Sequence, residues 1–351
     1  IIGSTTGTAF VVDNGGRVGI GLTNPSTRFE VLGVSSTTQL NLATTSPLDG
    51  SGGIFMGTNR FLGAITASGG TSVFIGPNGL NTAMTGGNNI AIATDSTLGT
   101  LSSLTSGSNN VMIGSRSGAA IQGGHNNVGI GYTVLTGNVA GGGNFALGTN
   151  ALLRNVCASN SVAIGVNALQ FVDSGSAMGC DSTGTVGIGN NAGGGNISGL
   201  GNTYIGAGAG TGVASNSHSF NTLIGYQSGF GVTTGSSNTL IGYNAGSNLT
   251  SGASNLIIGT NLTLPTATTN NYLSIGNVLY GNTSTLTAGI ASTTPWAKFG
   301  VSSANATSRF PLFAVATSSA ALSTTTPFLV DWNGYVGIGT TSPGFNFSVA
   351  T

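Results

Sequence analysis

Between residues 71 and 279, short apolar stretches recur and each closes on a small residue: Val73-Phe-Ile-Gly76, Val111-Met-Ile-Gly114, Thr239-Leu-Ile-Gly242, Leu256-Ile-Ile-Gly259. With that residue as a marker, the series runs Gly76, Ala93, Gly114, Gly131, Gly148, Gly165, Gly189, Gly206, Gly225, Gly242, Gly259, Gly276. Eight of the eleven intervals are 17 residues; the others, 21, 24 and 19, read as loop insertions. One position before the marker stand Ile75, Ile92, Ile113, Ile130, Leu147, Ile164, Ile188, Ile205, Ile224, Ile241, Ile258 and Ile275. Three before it stand Val73, Ile90, Val111, Val128, Phe145, Val162, Val186, Thr203, Thr222, Thr239, Leu256 and Leu273. A period of two puts both columns on one face of a short strand, which suits β-branched side chains.

These columns predict a parallel β-solenoid, each coil holding two short strands and two turns. One coil cannot cover its own apolar column, so its neighbours must do so. The twelve residues just before the markers are therefore expected to form the buried core ladder. The position between the two columns is small at first (Ala91, Gly129, Ala146, Ala163, Gly187) and bulky later (Tyr204, Leu223, Leu240, Ile257). It is expected to point away from the coil interior, against another packed surface. Four residues before the marker, Asn recurs at 89, 110, 127, 144, 202, 221, 238 and 255. Stacked Asn side chains can hydrogen-bond along such a ladder. Small residues just after the marker, such as Ala168, Ala192, Ala209, Ser228 and Ala245, suit a tight corner. Helices are excluded because an interior Gly costs about 1 kcal/mol relative to Ala.

The flanks follow another pattern. Residues 8–31 and 326–349 agree at 13 of 24 positions, sharing Asp13/Asp331, Pro25/Pro343 and the phrase Val-Gly-Ile-Gly at 18–21 and 336–339. A degenerate third copy at 292–303 keeps Pro295, Phe299 and Val301. Each copy reads as strand, Gly or Asn turn, strand, Pro-led turn, strand. The expected organisation is a β module at 1–33, a connector at 34–70, the solenoid at 71–279 and β modules at 280–351. A chain that closes on its opening module reads as one unit of something longer, and Ile1 as a processed or truncated start.

At these residues a resemblance can be stated. "NSVAIGVNAL" (160–169), "NTLIGYQSG" (221–229) and "NTLIGYNAG" (238–246) resemble the head repeats of YadA-type trimeric autotransporter adhesins. "GRVGIGLTNPSTRFEV" and "GYVGIGTTSPGFNFSV" resemble modules of phage tail fibres and related surface fibres. The resemblance implies left-handed coils and three chains packed side by side. This chain departs from the adhesins in its longer coil and in showing neither a coiled-coil stalk nor a membrane anchor.

Composition narrows the function. Gly supplies 62 of 351 residues, and seven basic residues balance seven acidic ones. Nucleic acid and anionic membranes need basic surfaces that so few charges cannot supply. The apolar residues, 39% of the chain, are regularly placed, which argues for order rather than disorder. No apolar run approaches the length of a membrane helix. Catalysis needs converging titratable groups, and candidates are sparse. His125 and His218 lie in inserted turns without metal-ligand spacing and are expected to be solvated. Glu30 is the sole glutamate, so paired carboxylates would have to come from Asp49, Asp95, Asp173 and Asp181. "GIGNNA" (Gly187, Gly189, Ala192) spells a dinucleotide fingerprint but lacks a helix and a following acid. Lys298, the sole lysine, aligns with Arg28 and is expected to be a solvated module position.

Cys157 and Cys180 fall in consecutive coils and form either one disulfide or two buried thiols. The expectation is a non-enzymatic, extracellular or cell-surface fibre or adhesin subunit, homo-oligomeric, with no cofactor and no membrane insertion. Its partner is itself, as a trimer or end-to-end filament, with a surface receptor or glycan as a further partner. A phage tail-fibre shaft or receptor-binding segment is the alternative. A solenoid presenting a Thr array for ligand binding is a third reading, weakened because Thr203, Thr222 and Thr239 share a column expected to face inward. With so few charges, stability is expected to change little between pH 4 and 9.

Overall fold

The computed structural model describes residues 2–4, 7–20, 24–26, 28–31, 53–56, 59–67, 69–76, 84–93, 100–172, 184–212, 217–290, 293, 299–301, 313–315, 328–340 and 342–349. Every element among them is β, and no helix is long and apolar enough to cross a membrane. Residues 1–45 form one compact unit and 46–351 another.

The second unit contains a parallel β-solenoid of about ten turns. Ten three-residue strands, from Ile90–Ile92 to Leu256–Ile258, pair in parallel and in strict register. Register survives each insertion: Ile92 faces Ile113, Ile164 faces Ile188, and Ile205 faces Ile224. Each coil carries a single strand, not the expected pair; turns and bends make up the rest. The ladder begins on Gly70–Ile75, which pairs antiparallel with Asn59–Ala67, and that strand with Gly53–Met56. These strands lie in the stretch read as a connector. At the far end Tyr272–Ile275 pairs antiparallel with Leu279–Asn282, and that with Thr287–Ile290. Antiparallel hairpins thus cover both ends of a parallel stack whose open edges would template association.

The interior is occupied by the column expected to point outward. Ala91, Met112, Ala146, Ala163, Tyr204, Leu223, Leu240 and Ile257 are all fully buried. The expected core ladder, Ile75, Ile92, Ile113, Ile130, Leu147, Ile164, Ile188, Ile205, Ile224, Ile241, Ile258 and Ile275, aligns rung on rung as foreseen, but none of it is buried within the chain. Ten members are half-buried, and Leu147 and Ile205 are exposed. The reason is space. Across the coil the strand meets the residues just past the marker, and the two walls complement each other in size. Met112, Tyr204, Leu223 and Leu240 oppose Gly118, Gly210, Gly229 and Gly246, where an added Cβ would come within 2.4–3.0 Å of those side chains. Where the strand offers only Gly129, Ala146 or Ala163, the opposite wall supplies buried Leu135, Leu152 or Leu169. Those leucines adopt φ of +50 to +51°, a left-handed conformation that costs roughly 1–2 kcal/mol each. Filling the coil offsets that strain, since a leucine-sized void costs 2–5 kcal/mol.

The Asn ladder forms as expected and is buried. Asn127 donates its backbone N–H (3.0 Å) and Nδ2 (3.1 Å) to Asn110 Oδ1. Its Nδ2 also donates to the Gly141 carbonyl at 2.9 Å. Asn144 repeats the pattern on Asn127. Each amide is therefore satisfied without water, as a buried polar stack requires. The ladder is interrupted at Ser161 and Thr185, and the Thr185 Oγ1 is buried without a partner.

The terminal modules have the expected topology. Gly7–Val12 pairs antiparallel with Val18–Ile20, which pairs in parallel with Phe29–Val31. Phe328–Val330, Val336–Ile338 and Phe347–Val349 repeat that order. In both, an aspartate ties the turn: Asp13 Oδ1 accepts from the Gly15 and Arg17 N–H groups, and Asp331 Oδ1 from those of Asn333 and Tyr335. The Arg17 backbone and side-chain hydrogen bonds hold the Asp13 carboxyl below its usual range.

Candidate interaction surface

Because the intervening column fills the coil, the two flanking columns form its outer face. Val73, Ile90, Phe145, Leu147 and Ile205 are 37–42% exposed, and the remaining members are half-buried. Thr203, Thr222 and Thr239 also stand on this outer face, against the inward expectation. Neither column contains a charged residue along its twelve rungs. Eleven steps of about 4.8 Å make the strip roughly 50 Å long. Contiguous apolar patches of several hundred Å² on a single chain normally mark contact surfaces.

At the edge of this strip, one position past the marker, lie exposed Tyr132, Val166, Tyr226 and Tyr243. Tyr226 and Tyr243 stack with ring centroids 5.5 Å apart and planes 9° from parallel. Their neighbours one position on, Gln227 and Asn244, take φ of +53°.

The most perturbed titratable groups lie inside the coil. His218, expected to be solvated, is fully buried where most rungs carry Gly, and its ring meets Tyr204 edge-on at 5.7 Å. Asn221 Nδ2 lies 3.1 Å and Tyr204 Oη 3.2 Å from its Nδ1. Asn221 Oδ1 accepts from Asn238, which fixes its amide orientation, and its Nδ2 also donates to Asn202 Oδ1 at 3.2 Å and to the Gly235 carbonyl at 3.0 Å. The ring's Nε2 is buried without a partner. Asn196 Nδ2 donates to Tyr204 Oη at 3.1 Å, completing the cluster. Burial lowers the His218 pKa from 6.5 to about 4 and raises that of Tyr204.

This burial predicts an acid sensitivity that the low charge count did not suggest. Between pH 6.5 and about 4 the unfolded chain binds a proton at His218 that the native chain does not. Stability is thus complete above pH 6.5 and falls as pH drops through that window, by roughly 3 kcal/mol at most. Urea unfolding at pH 7 and pH 4 should show this loss, and His218→Gln should abolish most of it. An unchanged pH profile in the variant would assign the acid sensitivity elsewhere.

The remaining candidates do not converge. His125 is exposed, its Nδ1 accepting from the Ser108 N–H at 3.0 Å. Gly187, Gly189 and Ala192 form an ordinary rung with no helix after it. Asp49, Asp95, Asp173, Asp181 and Lys298 lie outside the described residues. Cys157 is disulfide-bonded, and the chain's other cysteine, Cys180, lies outside the described residues. Among the described residues no three His, Cys, Asp or Glu side chains are grouped to hold a metal. In comparisons with known proteins, no family model, curated sequence or solved structure matches this chain.

Proposed function

We propose that this chain is a non-enzymatic structural subunit of an extracellular fibre or adhesin, assembling side by side with its own copies into an elongated rod. The uncharged apolar strip on the outer face of the solenoid carries this reading. A second copy offers the same strip at the same rung spacing, so two strips can interdigitate along their length. Burying apolar area contributes about 25 cal/mol per Å². The repeats' resemblance to adhesin heads favours a trimer. The terminal modules, alike in sequence and in pairing order, favour the alternative setting of a phage tail-fibre shaft, for which the same assembly serves.

The double variant Ile224→Asp, Ile241→Asp tests it. Both side chains are half-exposed, so carboxylates there stay solvated in a lone chain and are buried only at a seam. Sedimentation should change from an oligomer to a monomer while the β circular-dichroism signal is retained. A wild-type chain that sediments as a monomer at micromolar concentration would overturn the proposal.

A further inference from the structure

We infer that the solenoid carries a binding site for a single neutral sugar ring, in the notch beneath Tyr226. The inference deepens the adhesive half of the reading above and rests on it, naming the class of ligand.

The notch arises from a break in the repeat. Two positions past the marker, most rungs carry a polar side chain in a left-handed conformation, including Asn150, Asn167, Asn191, Gln227, Asn244 and Asn261, with φ of +53 to +58°. Along this column Asn150 donates to Asn167 at 3.0 Å and Asn244 to Asn261 at 3.1 Å. Gly208 interrupts it. Asn191 Nδ2 turns sideways to Asn190 Oδ1 at 2.9 Å, and the Gln227 amide makes no hydrogen bond to the described chain. The missing side chain leaves a cavity of about 180 Å³, lined by these amides and by Thr211, Phe230 and Tyr226.

Three features select the ligand. The cavity is smaller than the roughly 300 Å³ at which drug-sized pockets begin, so it fits one ring. None of its lining side chains is charged, so a phosphate or carboxylate would meet no counter-charge. Tyr226 is covered on one face by Tyr243, while the other faces the rung of Ala207, whose methyl leaves it bare. An open aromatic face is electron-rich and attracts the weakly positive C–H groups of a neighbour. Amides two rungs apart, about 9.6 Å by the strand spacing, can hydrogen-bond opposite edges of a ring lying between them. A pyranose presents C–H groups on its face and hydroxyls around its rim, matching both.

The test uses the whole chain and the methyl glycosides of glucose, galactose, mannose, N-acetylglucosamine and N-acetylgalactosamine. Saturation-transfer NMR should detect at least one with a dissociation constant on the order of 1 mM. Gly208→Asn places in the notch the residue its column carries elsewhere at a similar φ. Its Cβ would lie 3.2 Å from Gln227 Cγ, which must give by a few tenths of an ångström, so the fold and sedimentation should be retained while binding weakens at least tenfold. Tyr226→Leu should weaken it similarly. If no glycoside binds, or if Gly208→Asn binds as wild type does, the inference is wrong. If Gly208→Asn changes sedimentation instead, the notch belongs to the contact between copies and the sugar site is likewise refuted. A wild-type monomer that still binds a glycoside would sink the assembly reading and leave this one standing.

Discussion

Replacing Gly225 by alanine should cost about 4 kcal/mol or more, although it adds one methyl group. Its φ is +127°, a region closed to residues with a side chain. A Cβ there would lie 2.4 Å from the carbonyl oxygen of Gly242 and 2.6 Å from its carbon. Both are backbone atoms of the next marker, and the strands on either side hold them in place. Strained φ/ψ contributes 1–3 kcal/mol, and forcing adjacent rungs apart contributes a similar amount. Urea unfolding checks the magnitude. Amide hydrogen exchange should further show the loss concentrated between residues 222 and 242, because a repeat protein couples mainly nearest neighbours. Gly276→Ala is the control. That marker has φ +59° and nothing within 4 Å of the added atom, so its cost should be about 1 kcal/mol. Equal costs at the two sites would show that rung-on-rung contact is not what demands glycine.

Replacing Asn127 by alanine is expected to destabilise by roughly 3–5 kcal/mol. The backbone N–H of residue 127 keeps its bond to Asn110 Oδ1, so that acceptor remains satisfied. The loss falls one rung further on. The Asn144 backbone N–H donates to Asn127 Oδ1 at 3.0 Å, and the Asn144 amide at 3.1 Å. Both donors are buried and would be left without an acceptor. A buried unpaired group costs about 1–3 kcal/mol, and the space vacated by the amide adds a cavity penalty. The Gly141 carbonyl is spared because Asn138 Nδ2 also donates to it at 3.0 Å. Chemical unfolding of the variant against wild type measures the change. A cost under about 1 kcal/mol would mean that water enters the ladder and replaces the amide.

Several features of the fold could be read from residue order alone. The 17-residue spacing fixed the rung, and the Asn column fixed a ladder whose bonds appear from Asn89 to Asn255. The direction in which the strand faces could not be read from its alternation. Both faces of Leu256-Ile-Ile are apolar, and a period of two separates them without saying which is inside. A second signal was present: large Leu223 and Leu240 accompany Gly229 and Gly246, whereas Ala146 and Ala163 accompany Leu152 and Leu169. Such exchange of size between two positions marks residues that share one cavity.

His218 shows a different limit. Its sequence surroundings, Ser-Asn-Ser-His-Ser, are those of a surface loop, and only the wrapping of the coil places the ring against Tyr204 and Asn221. The notch beneath Tyr226 likewise joins residues from three successive rungs, 190 to 230 in number.

The sequence by itself determined the period, the strand that precedes each marker, the markers and the amide ladder, because each depends on contacts between identical positions one repeat apart. The tertiary structure alone decided which apolar face closes the coil and which remains on its surface. That choice depends on how much volume the opposite wall leaves free, a quantity set by residues half a coil away.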